Sequence, residues 1–370
     1  MNEKKNLKVL VYRIGQLGDM LVSLPAMWAV REAFSEAHMT LLYDVHSDAS
    51  YVTPKEVLPR DGLFNDYIDY SASIRGSGLF SAMWLLPKLR ARQFHLLVYL
   101  AGRLRSPWQV RRDIRFFHMA GIPEVLLAEM DEPLPPKVPG HPLPRIERMT
   151  DYFLRRLTLS RISVSSIDVV RSGLRLTKEE IREARAFFDG KNLAYGPEQR
   201  VVGIGPGSKW ASKRWPEERF REVGAQLMRD EACSIVVFGG PSDKEIGDRL
   251  VRQWGKGVNA SGLLTVRESA AVLSLCNLYV GNDSGIIHLA AAVGVRCIGV
   301  YAAQDYPGMW EPYGSGHKII RSQVECEGCH LPICTIEGMR CLKQIPIETV
   351  LYACHSMLLP NQDGLGRLYA

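Results

Sequence analysis

Apolar residues in this chain fall into short unbroken runs separated by stretches with helical spacing. Leu7 to Tyr12, Met39 to Tyr43 and Phe94 to Leu100 are runs of the first kind. A strand covered on both faces reads this way, so these runs predict buried strands of a parallel sheet. Asp19 to Phe34 has helical apolar spacing, interrupted at Pro25. The alternation predicts an α/β, doubly wound architecture. A second series of runs covers Arg200 to Ile204, Ser234 to Phe238, Leu278 to Val280 and Cys297 to Val300, with helices between them. Between the two series, Thr177 and Glu180 form a capping box that opens a helix ending near Gly190. The polar stretch Lys191 to Arg200 follows, broken at Gly196-Pro197, and is the predicted linker. Two domains are therefore expected, 1–190 and 191–346, a division that 370 residues can support. The proline-rich stretch Asp131 to Arg145 is expected to be a surface loop, and no short-period repeat suggests a solenoid.

Candidate chemistry lies where strands run into turns. Gly281-Asn282-Asp283-Ser284-Gly285-Ile286-Ile287-His288 joins an apolar run to a helical segment, Leu289 to Val293. A Ser-Gly pair there leaves backbone N–H groups free at a helix N-terminus, which is an anion site. The plainer alternative is a turn with Asp283 as N-cap. The second such turn is Gly203-Ile204-Gly205-Pro206-Gly207-Ser208, followed by Lys213-Arg214-Trp215-Pro216. Ser208 offers a hydroxyl and Lys213 a mobile cation to phosphate oxygens. Pro216 suits a first helical position. The alternative is a plain turn and a solvated charge.

A third turn at the N-terminus, Arg13-Ile14-Gly15-Gln16-Leu17-Gly18-Asp19-Met20-Leu21, precedes Ser23-Leu24-Pro25-Ala26. Taken in order and at this spacing, the three motifs resemble glycosyltransferase family 9, the heptosyltransferase-like enzymes, from about residue 8 to about residue 350. The resemblance implies the GT-B architecture, two Rossmann-like domains facing a central cleft. The donor would sit on the C-terminal domain and the acceptor on the N-terminal one. A C-terminal helical segment, 347–370, is expected to return to the N-terminal domain.

The implied reaction moves a sugar from a nucleotide diphosphate to an acceptor hydroxyl. ADP-heptose and a lipopolysaccharide core or related glycolipid or glycan acceptor are the expected partners. By this resemblance Asp19 is the base, where its ordinary role would be N-cap of the following helix. Lys213 would neutralise the departing diphosphate, together with Gly205, Ser208 and the backbone at Ser284, Gly285 and Ile286. The same matching puts Asp243 near the ribose hydroxyls and Leu264 beside the base. Asp283 and His288 are expected to shape the phosphate turn. Arg13, Gly15, Gly18, Arg103 and Arg105 are expected on the acceptor side. No Asp-x-Asp motif suits a magnesium-bound diphosphate, so catalysis is expected to need no metal. A nucleotide-sugar hydrolase or epimerase of the same fold, and a non-catalytic nucleotide-sugar-binding protein, are the competing readings.

Composition adds little, but charge distribution adds something. The chain is 46% hydrophobic and 23% charged, with net charge +6. Residues 75–115 hold nine Lys or Arg (Arg75, Lys88, Arg90, Arg92, Arg103, Arg105, Arg111, Arg112 and Arg115) against Asp113, a local balance of +8. Such a patch suits anionic lipid or a phosphorylated acceptor, or is a solvated basic face. No nucleic-acid motif accompanies it. No apolar run has membrane-spanning length, and Met1 to Lys5 leads into a strand without a signal-peptide pattern. The expected location is the cytoplasm, peripheral to the inner face of the cytoplasmic membrane. Of eight cysteines, Cys233, Cys276 and Cys297 stand singly in or beside apolar segments. Cys326, Cys329, Cys334 and Cys341, in the segment 326–341, are spaced to hold a structural zinc or to remain reduced thiols in a loop.

Overall fold

A computed structural model describes residues 7–48, 50–71, 78–101, 103, 105–127, 133–138, 140–160, 162, 164, 173–196, 199–336 and 338–358, with 78–83 as backbone alone. The leader Met1 to Lys5, Arg75 of the basic segment and Asp131 of the proline-rich stretch lie outside the described residues. The chain divides into two compact units, one made of Met1–Leu134 and Met149–Ser172, the other of Pro135–Arg148 and Gly173–Ala370.

The first unit is built on a parallel sheet of β1 (Lys8–Tyr12), β2 (His38–Val45), β3 (Asp66–Ser71), β4 (Leu96–Tyr99) and β5 (Glu124–Leu126), in the order β3-β2-β1-β4-β5. The order reverses between β1 and β4, and ligands of doubly wound sheets bind just beyond the carboxyl ends of the strands at such a switch. Helix Leu17–Ala33 runs through Pro25 rather than stopping there. Eleven of its residues, Met20 to Val30, are buried, and this packing outweighs the single backbone hydrogen bond that proline removes. The edge strands β3 and β5 escape the sequence reading because they are short and carry polar residues.

The second unit carries a parallel sheet of β6 (Val201–Gly205), β7 (Ser234–Val237), β8 (Val258–Asn259), β9 (Leu278–Asn282), β10 (Cys297–Tyr301) and β11 (Lys318–Arg321). Its order, β11-β10-β9-β6-β7-β8, places the switch between β6 and β9. Both anion-type turns of the sequence follow these two strands. The capping box is formed as expected: the Thr177 hydroxyl accepts from the Glu180 N–H at 3.2 Å, and the Thr177 N–H donates to Glu180 Oε2 at 2.8 Å.

Two expectations are corrected here. The helix Lys178–Gly190 belongs to the second unit, not the first. Glu180 forms a buried ion pair with Arg267, 2.8 Å between Oε2 and Nη2, and the Leu174 N–H bonds the Ala292 carbonyl at 3.1 Å. The helix Ile347–Leu358 packs within the second unit, and residues 359–370 of the segment expected to return lie outside the described residues. Val350, Leu351, Ala353, Cys354, Met357 and Leu358 share one apolar cluster with Val202, Leu278 and Ile298 of the second sheet. The proline-rich stretch from Pro135 is a surface loop, as expected, and it is tied along the second unit. The Leu143 N–H donates to buried Glu327 at 2.7 Å, Arg145 pairs with Glu311 at 2.7 Å, and the Ile146 N–H reaches the Pro307 carbonyl at 2.9 Å.

Candidate active site

The turns after β6 and β9 are bolted together by side chains of both. Asn282, fully buried at the end of β9, accepts the Trp215 N–H at 2.9 Å and donates to the Pro206 carbonyl at 2.7 Å. The Ser208 hydroxyl donates to the Asp283 carbonyl at 3.2 Å. Helix Gly285–Ala292 starts at Ser284, which makes no side-chain capping bond to it. The first-turn N–H groups at Gly285 and Ile286 are thus left for an incoming anion. His288 is buried one turn further on, consistent with a shaping role. A Cβ on Gly205 would lie 1.8 Å from the Tyr279 hydroxyl, so the glycine makes room for a buried tyrosine.

Lys213 lies beside this pair of turns. Its ammonium bonds Asp283 Oδ2 at 2.6 Å and Asp305 Oδ2 at 3.2 Å, and His330 Nδ1 stands 3.0 Å from the other oxygen of Asp305. Burial works against the charge, but the two carboxylates outweigh it and the Lys213 pKa is raised. Lys213 therefore stays cationic at neutral pH. Two carboxylates also match it, so the cation next to it adds field that Lys213 alone does not. Arg214 donates through Nε to the Ser208 carbonyl at 2.8 Å and is otherwise exposed. The partners of Asn282 and the pairing of Asp305 with Lys213 are not legible in the sequence, because they lie 67 or more positions away along the chain.

The residues expected at the nucleoside end, Asp243 and Leu264, lie on two neighbouring loops. Asp243 follows β7, and its Oδ2 accepts the Gly240 N–H at 3.0 Å. Burial raises its pKa, with that N–H and Arg214 acting the other way. A Cβ on Gly207 or Gly239 would come within 2.3 or 2.6 Å of Asp243 atoms, so both glycines admit its side chain. Leu264 lies half-buried in the next loop, whose Gly262 N–H bonds the Gly239 carbonyl at 3.1 Å. Asp243 and Leu264 thus stand on adjoining loops at the carboxyl edge.

On the first unit, Asp19 occupies the first turn of helix Leu17–Ala33 and is one-third exposed. Its Oδ2 accepts the Gln16 N–H at 3.0 Å and its Oδ1 accepts Arg13 Nη2 at 3.1 Å. The capping role and an exposed carboxylate coexist. Arg13 is buried and spends its other donors on the Asp19 and Leu100 carbonyls and on Ser23 Oγ. It positions Asp19 and ties the β1 turn to the end of β4, so direct acceptor contact by Arg13 is corrected to a supporting role. Burial lowers its pKa while Asp19 and Asp44 oppose that. Gly18 lies in the same first turn. Asp44 accepts the Gly15 N–H and the Tyr51 hydroxyl, each at 3.0 Å, and His46 at 2.8 Å; none of this was legible in the sequence.

Gly15 has φ +122°, and a Cβ on it would meet Asp19 Cγ at 2.5 Å. Gly15→Ala is therefore expected to cost about 1–3 kcal/mol of stability and to displace the carboxylate. Thermal unfolding and turnover measured on the same sample check this; a variant matching wild type in both contradicts the geometry.

Arg103 and Arg105 follow β4, across the switch from Asp19. The Arg103 guanidinium lies 5.3 Å from the Tyr152 ring centroid. Arg105 is paired with buried Asp113, which also takes Arg112 at 2.7 Å and the Tyr99 hydroxyl at 2.8 Å. Arg92 pairs with Asp66, and Arg90 donates to the Met119 carbonyl at 2.9 Å. Asp113 is the acid already counted in the +8 balance, and Asp66 matches one further cation, Arg92. Among the described residues no group of three or more His, Cys, Asp or Glu side chains is placed to hold a metal ion. Burial raises the Cys341 pKa, and the nearby Cys329 and Cys334 add to it. A cavity of about 990 Å3 lies at the opposite, amino edge of the first sheet among Lys8, His38, Asp66 and His95. Sheet topology favours the carboxyl edge, where the motifs converge.

Residues 162–339 match glycosyltransferase family 9 (heptosyltransferase). Lipopolysaccharide heptosyltransferase 2 of Escherichia coli is 24% identical over 183 residues, 45% of this chain and 51% of that protein. The match thus spans about half the length of this curated relative. Two solved structures extend the likeness to the whole fold. The glycosyl transferase family 9 protein from Veillonella parvula superposes with TM-score 0.73 at 20% identity, covering 95% of this chain and 97% of that one. The E. coli heptosyltransferase WaaC with ADP-2-deoxy-2-fluoro heptose gives TM-score 0.62 at 18% identity, covering 95% and 99%. These are GT-B proteins with two Rossmann-like domains, as are the two sheets here. Residues 162–339, just under half of the chain, are thus similar to glycosyltransferase family 9, and the chain as a whole shares the fold of the solved members.

Proposed function

We propose that this protein transfers a sugar from a nucleotide diphosphate donor to a hydroxyl of a glycolipid or glycan acceptor, with ADP-heptose as donor and the lipopolysaccharide core as acceptor. The observation that carries the reading is the joined pair of turns at the β6–β9 switch. There Ser208, Lys213, Arg214 and a helix N-terminus surround one place suited to a diphosphate. The relatives support the choice of sugar: one is a heptosyltransferase, and another was solved with a fluorinated ADP-heptose.

In the reaction the Asp19 carboxylate takes the acceptor hydroxyl proton as that oxygen bonds to the anomeric carbon. The bond from that carbon to the diphosphate oxygen breaks, and the electron pair leaves with the nucleotide. Helix N–H groups, Arg214 and Lys213 stabilise the charge that develops. Asp243 accepts from the ribose hydroxyls, and Leu264 packs against the base. Catalysis runs without a divalent metal, since these fixed groups supply the field.

Thermal protection across a panel of nucleotide sugars tests the donor, because a ligand that binds only the folded state raises the midpoint. ADP-heptose should protect more than ADP, UDP or GDP sugars; equal protection by UDP and GDP sugars overturns the adenine assignment. Excess EDTA should leave the transfer rate within about twofold, whereas loss of activity restored by magnesium contradicts the metal-free step.

A further inference from the structure

The cavity at the amino edge of the first sheet is used by no step of the proposed reaction. Strand register builds it. Lys8 of β1 pairs with His38 of β2, and Thr40 of β2 pairs with Asp66 of β3. The His95 N–H bonds the Lys8 carbonyl at 3.0 Å, which sets His95 beside Lys8 at the start of β4. Paired residues, and alternate residues of one strand, share a face. All five therefore stand on one face of the sheet. Helix Gly78–Arg92 covers that face, since Leu85 and Leu89 share an apolar cluster with Leu10 and Leu42. The covered face is thus apolar along the strands and polar at their starts. Arg92, the last residue of the helix, pairs with Asp66, and its carbonyl accepts Lys8 Nζ at 2.9 Å. The Lys8 ammonium keeps two further donors. His95 Nδ1 accepts the backbone N–H of Lys8 at 3.1 Å, so the ring carries its proton on Nε2, a donor. His38 is exposed at the rim. Thr40, which also lines the cavity, is fully buried, and its hydroxyl has no hydrogen-bond partner. Buried hydroxyls are normally paired, and one left alone is costly.

We propose that this cavity is a second ligand site, which binds a phosphomonoester of a sugar or other small polyol. Its volume suits a molecule of that size. Phosphate is the group its donors select. Lys8 and the two imidazoles offer separate donor points from three strands, which suits the oxygens of a phosphate. The flat guanidinium fork that would match a carboxylate is Arg92, and it is already closed on Asp66. A ligand hydroxyl at the inner end gives Thr40 the partner it lacks. Glu36 lines the exposed rim, where it repels a second anionic group, so one phosphate with hydroxyls is favoured over a diphosphate. The site lies at the edge opposite the one where doubly wound sheets bind their substrates. The inference therefore takes nothing from the proposed transfer reaction.

The test is isothermal titration of the full chain with ribose 5-phosphate, with ribose and succinate as controls. Wild type should bind ribose 5-phosphate at least about tenfold more tightly than either control. Lys8→Gln/His38→Gln should lose at least about tenfold of that affinity, and Thr40→Val at least about threefold. Thr40→Val should unfold at or above the wild-type temperature, because the unliganded hydroxyl has no partner to lose. Both variants should keep the wild-type circular dichroism spectrum, which shows that they fold. The β6–β9 turns are also read as a phosphate site, so the titration is repeated with saturating ADP and in Lys213→Ala. Affinity for ribose 5-phosphate should be unchanged in both. Absent binding by wild type, equal binding of ribose or succinate, or binding unchanged in either amino-edge variant overturns the proposal. A lowered midpoint in Thr40→Val makes its hydroxyl structural and overturns its part in the site. Binding abolished by ADP or by Lys213→Ala assigns the phosphate to the β6–β9 turns and also overturns the proposal. Absent sugar transfer with this binding intact sinks the proposed function alone.

Discussion

Asp19→Asn is expected to lower sugar transfer by at least about a hundredfold while donor affinity stays within about threefold. The carboxylate is the only group at the β1 turn that combines an ionisable oxygen with partial exposure and a fixed position. Its place is held by the Gln16 N–H on one oxygen and Arg13 on the other. Both partners are donors, so an amide must turn its NH2 toward one of them. A stability loss of about 1 kcal/mol is therefore expected as well. Activity should be read against the fraction folded. A folded Asp19→Asn protein with near wild-type turnover would reduce Asp19 to the helix cap it also is.

Lys213→Ala should weaken donor binding and slow turnover together, each by about tenfold to a thousandfold. The ammonium faces the diphosphate turns in both the bound and the reacting state. Its loss also leaves Asp283 and Asp305, each little exposed, facing one another without a cation. They would repel the incoming diphosphate, so the effect exceeds that of deleting a lone charge. Isothermal titration with ADP and steady-state rates separate the two losses. Unchanged affinity and turnover in the folded variant would detach the phosphate site from this turn. Because the Lys213 pKa is raised, its contribution to stability is complete below the ordinary lysine range. It is lost only as pH climbs through the raised value, so acidification to pH 6 should not weaken it.

The fold was legible where strands are covered on both faces. β1, β4, β6, β9 and β10 are buried at nearly every position, and their unbroken apolar runs announce them. β8 has two residues and β11 four, too few to display a period. Glycine-rich turns between strands and helices were legible too, because turn chemistry is local. What the turns contain was not. That Gly205 clears space for the Tyr279 hydroxyl is not visible along the chain. Asn282 reaches Pro206, Asp44 reaches Gly15 and Asp305 reaches Lys213, 76, 29 and 92 positions away, relations that only the folded chain displays. Helix Ile347–Leu358 shows the limit of reasoning from architecture: its own apolar face, led by Val350 and Cys354, fixed it to the nearer sheet.

The central claim is the proposed sugar transfer, with Asp19 as base and the β6–β9 turns as the diphosphate site. Release of ADP from ADP-heptose, followed with and without a heptose-deficient lipopolysaccharide core acceptor, tests it most directly. ADP release should require the acceptor, match the heptose found on it, and disappear in Asp19→Asn with donor binding retained. Equal release without acceptor would make the protein a nucleotide-sugar hydrolase and contradict the account.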